Sequence, residues 1–459
     1  MKTIGHLING TIVTDGARTQ DLFNPSTGEV AKQVSLAGKA TVEDAIAAAQ
    51  AAFPAWRNTP PLKRARVMYR FKQLLEEHAE EICRLIGEEH GKIAHDAMGE
   101  LQRGIENVEY ACGVPELLKG EHSKNVGPAI DSWNELQPLG VVAGITPFNF
   151  PAMVPLWMYP MAIACGNCFV LKPSERDPSS TLFIAQLLVE AGLPAGVINV
   201  VNGDKEAVDT LLDDPRVQAV SFVGSTPVAE YIYARASANG KRCQALGGAK
   251  NHAILLPDAD MDNAVNALTG AAFGSSGERC MALSVAVAVA VGDAAAEAFI
   301  EKMRAQMQGL KVGAFSERQN DFGPVITRAH LDKVVGYINS AEQQGAEIVV
   351  DGRNPSVPGF DNGFFVGGTL IDRVTPDMLC YKEEIFGPVL LVVRVATMQQ
   401  AMDLIDAHEY GNGTGIFTPA WPTGIPNRRP TPCCFPGRLE KTTNESVCSL
   451  RHYLENKQN

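Results

Sequence analysis

The feature that most constrains this chain is a succession of short apolar runs beginning at Gly140: GVVAGI, CFVLKPS, VINVVNG and AVSFVGS, each separated from the next by a helical stretch. Runs of this kind have no polar alternation, so they must be buried on both faces. Strands buried on both faces and joined by helices form a parallel, doubly wound sheet.

A second set follows from about Ala245. It comprises HAILLP, a helix after Asp260, SVAVAVAV, a helix from Ala294 to Met307, a helix from Thr327 to Gln344, and AEIVVDG. The expected fold is α/β, two doubly wound lobes with a small arm. Ahead of the first lobe, Thr41 to Pro54 reads as an Ala-rich helix opened by Thr41. Pro61 to Gly91 reads as one longer helix, with Val67, Phe71, Leu74, Leu75, His78 and Ile82 on one face. Glu121 to Gln137 is polar without helical period and is expected to be an arm reaching a partner subunit.

Composition narrows the function classes. A formal net charge of -12 argues against a nucleic-acid or anionic-membrane surface. The N-terminus MKTIGHLING carries no apolar secretory region, and the longest apolar run, Met281 to Gly292, falls short of the roughly twenty residues a membrane helix needs. A cytoplasmic enzyme with no membrane partner is expected. Seven of the ten Cys are scattered singly before residue 420, with no second pair to complete a zinc site beside Cys165 and Cys168, so no metal is expected.

Cys280 stands apart from the other thiols. It closes FGSSGERC, a Gly/Ser-rich stretch between a small-residue helix and an apolar strand, with Arg279 adjacent. A cation and backbone amides favour thiolate, the nucleophilic form. TPFNFP follows GVVAGI, which places Asn149 beyond the carboxyl end of a parallel strand, where its amide can stabilise an oxyanion alongside a backbone N–H. LKPSER puts Lys172 and Glu175 at another strand end. Lysine suits a ribose hydroxyl or phosphate, and the glutamate suits paired ribose hydroxyls while disfavouring a 2'-phosphate.

In SFVGSTPVAEYIYARA, a strand runs into Gly224, Ser225, Thr226 and Pro227 and then an amphipathic helix, an anion site for a pyrophosphate. No G-x-G-x-x-G fingerprint accompanies it. In KEEIFGPV, Glu384 suits a second ribose and Phe386 a flat ring. Taken singly, each motif also admits a plain structural role. These are a buried thiol, a Pro-bounded turn, a solvated charged turn, a helix cap, and a charged turn beside a core Phe.

Taken in order, PFNFP, LKPSE, FVGST, ALGGAKN, GERC and EEIFGPV resemble the aldehyde dehydrogenase superfamily over residues 5 to 418. TPFNFPAMVPLWM, KPSERDPS, GGAKNHAILLPDAD and GERCMALSVAV resemble its CoA-acylating, methylmalonate-semialdehyde dehydrogenase branch more closely. The resemblance implies Cys280 as nucleophile and Asn149, with the Cys280 amide, as oxyanion donor. It implies NAD contacts at Phe148, Lys172, Glu175, Arg176, Ser225 and Gly247, with Glu384 and Phe386 holding the nicotinamide riboside. It also implies an NAD-binding domain over 1–120 and 139–244, an oligomerisation arm over 121–138, a catalytic domain over 245–418, and a homotetramer.

Ala245 departs from the wider pattern E-L-G-G, whose Glu is the general base. Hydrolysing an acyl-enzyme needs a base to activate water, whereas a thiol with pKa near 8.5 is partly thiolate already. That loss favours coenzyme A as acceptor over an ordinary hydrolytic reaction, which is the alternative. Arg279 suits a carboxylate on the substrate, and the resemblance adds Arg103 in LQRGIENVEY as its partner, although a solvated helix face is the plain alternative for that residue. A 3-oxo acid such as malonate or methylmalonate semialdehyde fits two arginines. Its carboxylate leaves as CO2, giving acetyl-CoA or propanoyl-CoA, a step of valine or inositol breakdown.

After Thr418 the sequence departs from the family. PAWPTGIPNRRPTPCCFPGR carries six Pro in eighteen residues and a Cys-Cys pair, with neither strand nor helix pattern. The expectation for 419–459 is a disordered tail of frameshifted composition. On that reading the tetramer is incomplete, and a catalytically impaired homologue is the further alternative.

Overall fold

The computed structural model describes residues 2–14, 18–290, 293–317 and 319–419, with the backbone of 435–436. The chain divides into two compact units, Met1–Gly247 and Gly248–Asn459.

The first unit is organised on a seven-stranded sheet. Its strands lie in the order Arg242–Leu246, Val217–Val223, Val141–Ile145, Cys168–Lys172, Ile198–Val200, His6–Ile8 and Thr11–Val13. The first five are parallel, and the N-terminal pair adds an antiparallel edge. Every residue of Val141–Ile145 and Cys168–Lys172 is buried, which is why their sequences show no polar alternation. From Val141–Ile145 the chain winds outward one way through two strands and then returns to wind the other way. The strand order therefore reverses between Val141–Ile145 and Val217–Val223, and open α/β sheets bind ligands beyond the carboxyl ends of such strands.

Two helix expectations need correction. The first helix is Lys39–Arg57, not one opened by Thr41. Glu206, from a distant helix, accepts a hydrogen bond from the Lys39 amide, so a tertiary contact replaces the local cap. The stretch 61–91 is two helices, Pro61–Glu77 and Ala79–His90, broken at His78, whose backbone leaves helical geometry and whose ring packs edge-on against Phe183. Residues 121–138 contain an exposed two-stranded antiparallel sheet, His122–Gly127 with Ile130–Trp133.

The second unit is built on strands in the order Glu347–Val350, Thr369–Asp372, Val389–Val395, Leu283–Val289, Asn251–Leu255 and Gly413–Phe417, with Phe435–Pro436 at the edge. The Val/Ala alternation of Leu283–Val289 has a packing meaning. Val285, Val287 and Val289 face a cluster with Val334 and Ile338 of helix Arg328–Gln343, while Leu283 and Ala286 face Phe273 and Phe299. Both sides are buried, so one strand serves two cores. Among the described residues no helix is long and apolar enough to cross a membrane. The expected tail falls almost wholly on residues outside the described ones.

Candidate active site

Cys280 is held by the amino ends of three neighbouring strands. Asn251 opens Asn251–Leu255, Cys280 lies three residues before Leu283–Val289, and Asn412 lies one residue before Gly413–Phe417. Asn251 Nδ2 donates to the Cys280 carbonyl at 2.8 Å and to the Ala282 carbonyl at 2.9 Å. Asn412 Nδ2 also donates to the Cys280 carbonyl at 2.9 Å, and Asn251 Oδ1 accepts from the Gly413 amide at 2.9 Å. The half-buried Cys280 therefore has its main chain fixed from two directions.

The approach to Cys280 is strained. Ser275, Ser276 and Gly277 all have positive φ, and each such non-glycine residue costs on the order of 1–3 kcal/mol. Ser276 Oγ lies within hydrogen-bond reach of the Gly323 carbonyl (2.7 Å) and holds the turn. At Gly277 a side chain is impossible, because a Cβ would sit 2.1 Å from the Gly387 carbonyl oxygen. The Cys280 loop thus packs backbone to backbone on the turn that carries Glu384 and Phe386.

That second turn is anchored by residues sequence reasoning missed. Lys250, fully buried, donates to the carbonyls of Cys380 (2.6 Å) and Glu383 (2.7 Å), and burial brings its ammonium down to about 8. Glu384 accepts from the Ala249 amide at 2.9 Å, and burial pushes its carboxyl up. His330 Nε2 lies 2.6 Å from the Phe386 carbonyl, an acceptor only, so Nε2 carries the proton. It also lies 3.5 Å from buried Glu278, whose carboxylate accepts from the Ile326 amide at 3.2 Å. Phe386 itself has φ 58°. Arg279 reaches the Gly270 carbonyl (3.4 Å) and Ser275 Oγ (3.3 Å) by long contacts.

In the first unit, the loops after adjacent strands converge at the reversal of strand order. Asn149 is buried just past Val141–Ile145, and Phe148 lies between His90, ring to ring at 6.0 Å, and the Arg176 guanidinium at 5.3 Å. Lys172 ends its strand and pairs with Glu175 at 2.8 Å. Burial alone would raise the Glu175 carboxyl, but Lys172 outweighs it and holds the group below its ordinary value. The carboxylate is anionic and fit to accept from hydroxyls.

Ser225 precedes helix Thr226–Ala238 without a side-chain cap, and Pro227 occupies its first turn. At Gly247 a Cβ would meet Thr226 Oγ1 at 3.0 Å, so the backbone lies close against that helix start. Ala245 sits on Arg242–Leu246, the strand paired with Val217–Val223. Arg103, on helix Ala94–Cys112, is 72% exposed in its side chain and 3.8 Å from Glu106. Among the described residues, no group of three or more His, Cys, Asp or Glu could hold a metal.

The aldehyde dehydrogenase family model matches residues 12–423. Malonate-semialdehyde dehydrogenase of Pseudomonas aeruginosa is 67% identical over 418 residues, 91% of this chain and 84% of its own length. The crystal structure of methylmalonate-semialdehyde dehydrogenase from Oceanimonas doudoroffii has 80% identity and a TM-score of 0.90, over 91% of this chain and 85% of that one. A Sinorhizobium meliloti 1021 protein, described as a methylmalonate-semialdehyde dehydrogenase and solved complexed with NAD, has 51% identity and a TM-score of 0.90 over the same shares.

Proposed function

This chain belongs to the aldehyde dehydrogenase family, and from that premise we propose that it oxidises malonate or methylmalonate semialdehyde with NAD and transfers the acyl group to coenzyme A with loss of CO2. The observation that carries the proposal is the fixed main chain of Cys280, gripped through its carbonyl by Asn251 and Asn412 on a strained turn.

The residues fit NAD. The anionic Glu175 beside Lys172 suits the adenosine ribose hydroxyls and would repel a 2'-phosphate, and the uncapped start of helix Thr226–Ala238 at Ser225 offers amides to a pyrophosphate. Gly247 lies close against that helix start, where a Cβ would meet Thr226 Oγ1 at 3.0 Å. Phe148 and Arg176 line the same end of the sheet, and Glu384 and Phe386 would hold the nicotinamide riboside. When bound, NAD supplies the hydride acceptor.

In the proposed reaction the Cys280 thiolate attacks the aldehyde carbon, and the resulting oxyanion is stabilised by the Asn149 amide and the Cys280 N–H. Collapse with loss of hydride leaves a thioester. The substrate carboxylate, held by Arg279 and Arg103, now lies β to the thioester carbonyl. Its C–C bond breaks to release CO2, and the carbon takes up a proton. The CoA thiolate then displaces Cys280. Ala245 leaves water without a general base at that position, so the thioester persists until the thiol arrives.

A homotetramer forms part of the same proposal. Supporting it, the 122–133 sheet exposes Val126 (57%), Ile130 (55%) and Trp133 (70%), a cost in water that a partner subunit would remove. The test of function is NADH formation from malonate or methylmalonate semialdehyde with and without CoA. Acyl-CoA as the product supports the proposal, and CoA-independent release of a free acid contradicts it.

A further inference from the structure

Lys92 and Glu100 form an ion pair with both side chains fully buried, at 2.5 Å. Such a pair costs desolvation on both partners and contributes little net stability against an apolar replacement. Its contacts indicate another use. Lys92 Nζ also donates to the Asn149 carbonyl at 2.5 Å and lies 3.9 Å from the centroid of the Phe150 ring. Glu100 accepts, through its other oxygen, from the amides of Ala152 at 2.8 Å and Met153 at 3.1 Å. Between them, Pro151 has no N–H, and its carbonyl accepts from Thr181 Oγ1 at 2.5 Å.

One ion pair therefore clamps the loop on both sides of the Phe150–Pro151 step. The Asn149 and Pro151 carbonyls and the Ala152 and Met153 amides are taken up by charges or a hydroxyl that water does not reach, and the Phe150 carbonyl accepts from the Val154 amide at 3.2 Å. The Asn149 side chain leaves from that clamped backbone. We propose that Lys92 and Glu100 are positioning residues, which fix the loop that carries Asn149 in the conformation its oxyanion role requires. This rests on the oxyanion role given to Asn149 above. Neither residue touches the reacting atoms.

The experiment is a double-mutant cycle of Lys92→Met with Asn149→Ala, read as the burst of nitrophenolate from 4-nitrophenyl acetate in the absence of NAD. In that reaction the Cys280 thiolate displaces nitrophenolate through the same kind of oxyanion, so the cofactor does not enter the readout. Asn149→Ala is expected to slow the burst by roughly 10²–10³. Lys92→Met is expected to slow it by about 10–10² in the parent, as misplacement of a catalytic group does, and by no more than about threefold in Asn149→Ala. NAD binding, measured by quenching of intrinsic fluorescence, should be retained.

Equal losses in both backgrounds, or none in the parent, overturn the positioning role and leave the oxyanion role standing. No loss in Asn149→Ala removes the oxyanion role and this inference with it. If Lys92→Met does not fold, Glu100→Gln in the same cycle decides. Its amide oxygen can still accept from Ala152 and Met153 but no longer neutralises Lys92, and non-additivity with Asn149→Ala supports positioning while additivity overturns it.

Discussion

Asn251 Nδ2 donates at 2.8 Å to the carbonyl of Cys280, twenty-nine residues away in sequence, while its Oδ1 takes the Gly413 amide. Both ends of one amide are thus spent on fixing the start of three neighbouring strands around the nucleophile. Asn251→Leu removes the Asn251 donor from the Cys280 carbonyl and the Oδ1 acceptor from the Gly413 amide. A buried group so abandoned costs roughly 1–3 kcal/mol. The variant should lower the rate of Cys280 alkylation by iodoacetamide and the melting temperature together. An unchanged alkylation rate in a folded variant would remove the positioning role of Asn251.

The Lys172–Glu175 pair predicts cofactor choice. Removing the charge in Glu175→Gln takes away the repulsion toward a 2'-phosphate and weakens acceptance from the ribose hydroxyls. The ratio of Kd values for NADP and NAD should shift toward NADP by about tenfold, a difference of roughly 1.4 kcal/mol. Calorimetric titration of both cofactors checks it, and an unshifted ratio contradicts it.

Arg103 and Arg279 predict substrate charge preference. Losing one charge-assisted contact to a carboxylate costs roughly 1.5–3 kcal/mol, or about 10–10² in kcat/KM. Arg103→Leu should show that loss with malonate semialdehyde and little change with propanal. Equal losses with both aldehydes would mean that Arg103 does not read the carboxylate.

His252 predicts a pH dependence of stability. Burial, helped by His408 and Lys250, lowers its pKa from 6.5 to about 3, and its Nε2 lies 2.9 Å from the Tyr381 hydroxyl. The folded pKa is depressed, so between pH 6.5 and about 3 the unfolded chain takes up a proton that the folded chain refuses. Stability therefore falls as pH drops through that window. From pH 7 to pH 5 this group alone should cost roughly 2 kcal/mol. His252→Phe should lose correspondingly less stability than the parent over that interval in chemical denaturation. Parallel pH profiles would contradict the assignment.

The parts legible in the sequence were those governed by local pattern. The doubly buried strands at Val141–Ile145 and Cys168–Lys172 declare themselves by their unbroken apolar runs, and FGSSGERC places Cys280 between a helix and a strand. Tertiary decisions were not legible. The stripe Phe71, Leu74, Leu75, His78, Ile82 keeps helical spacing through the break at His78, because the same core faces both helices. Lys92 and Glu100, eight residues apart, belong to no motif singled out in the sequence, and only the fold shows them buried together at the Asn149 carbonyl. Asn251 sits in the quoted ALGGAKN, yet the target it shares with Asn412 exists only once three strands lie side by side.

The central claim is that Cys280 carries an acyl group that CoA removes. Mass-spectrometric peptide mapping after turnover of malonate semialdehyde with NAD but no CoA should find the Cys280 peptide acetylated and NADH produced in a stoichiometric burst. Addition of CoA should clear the label and yield acetyl-CoA. An unmodified Cys280 peptide alongside continuous CoA-independent turnover would contradict the account.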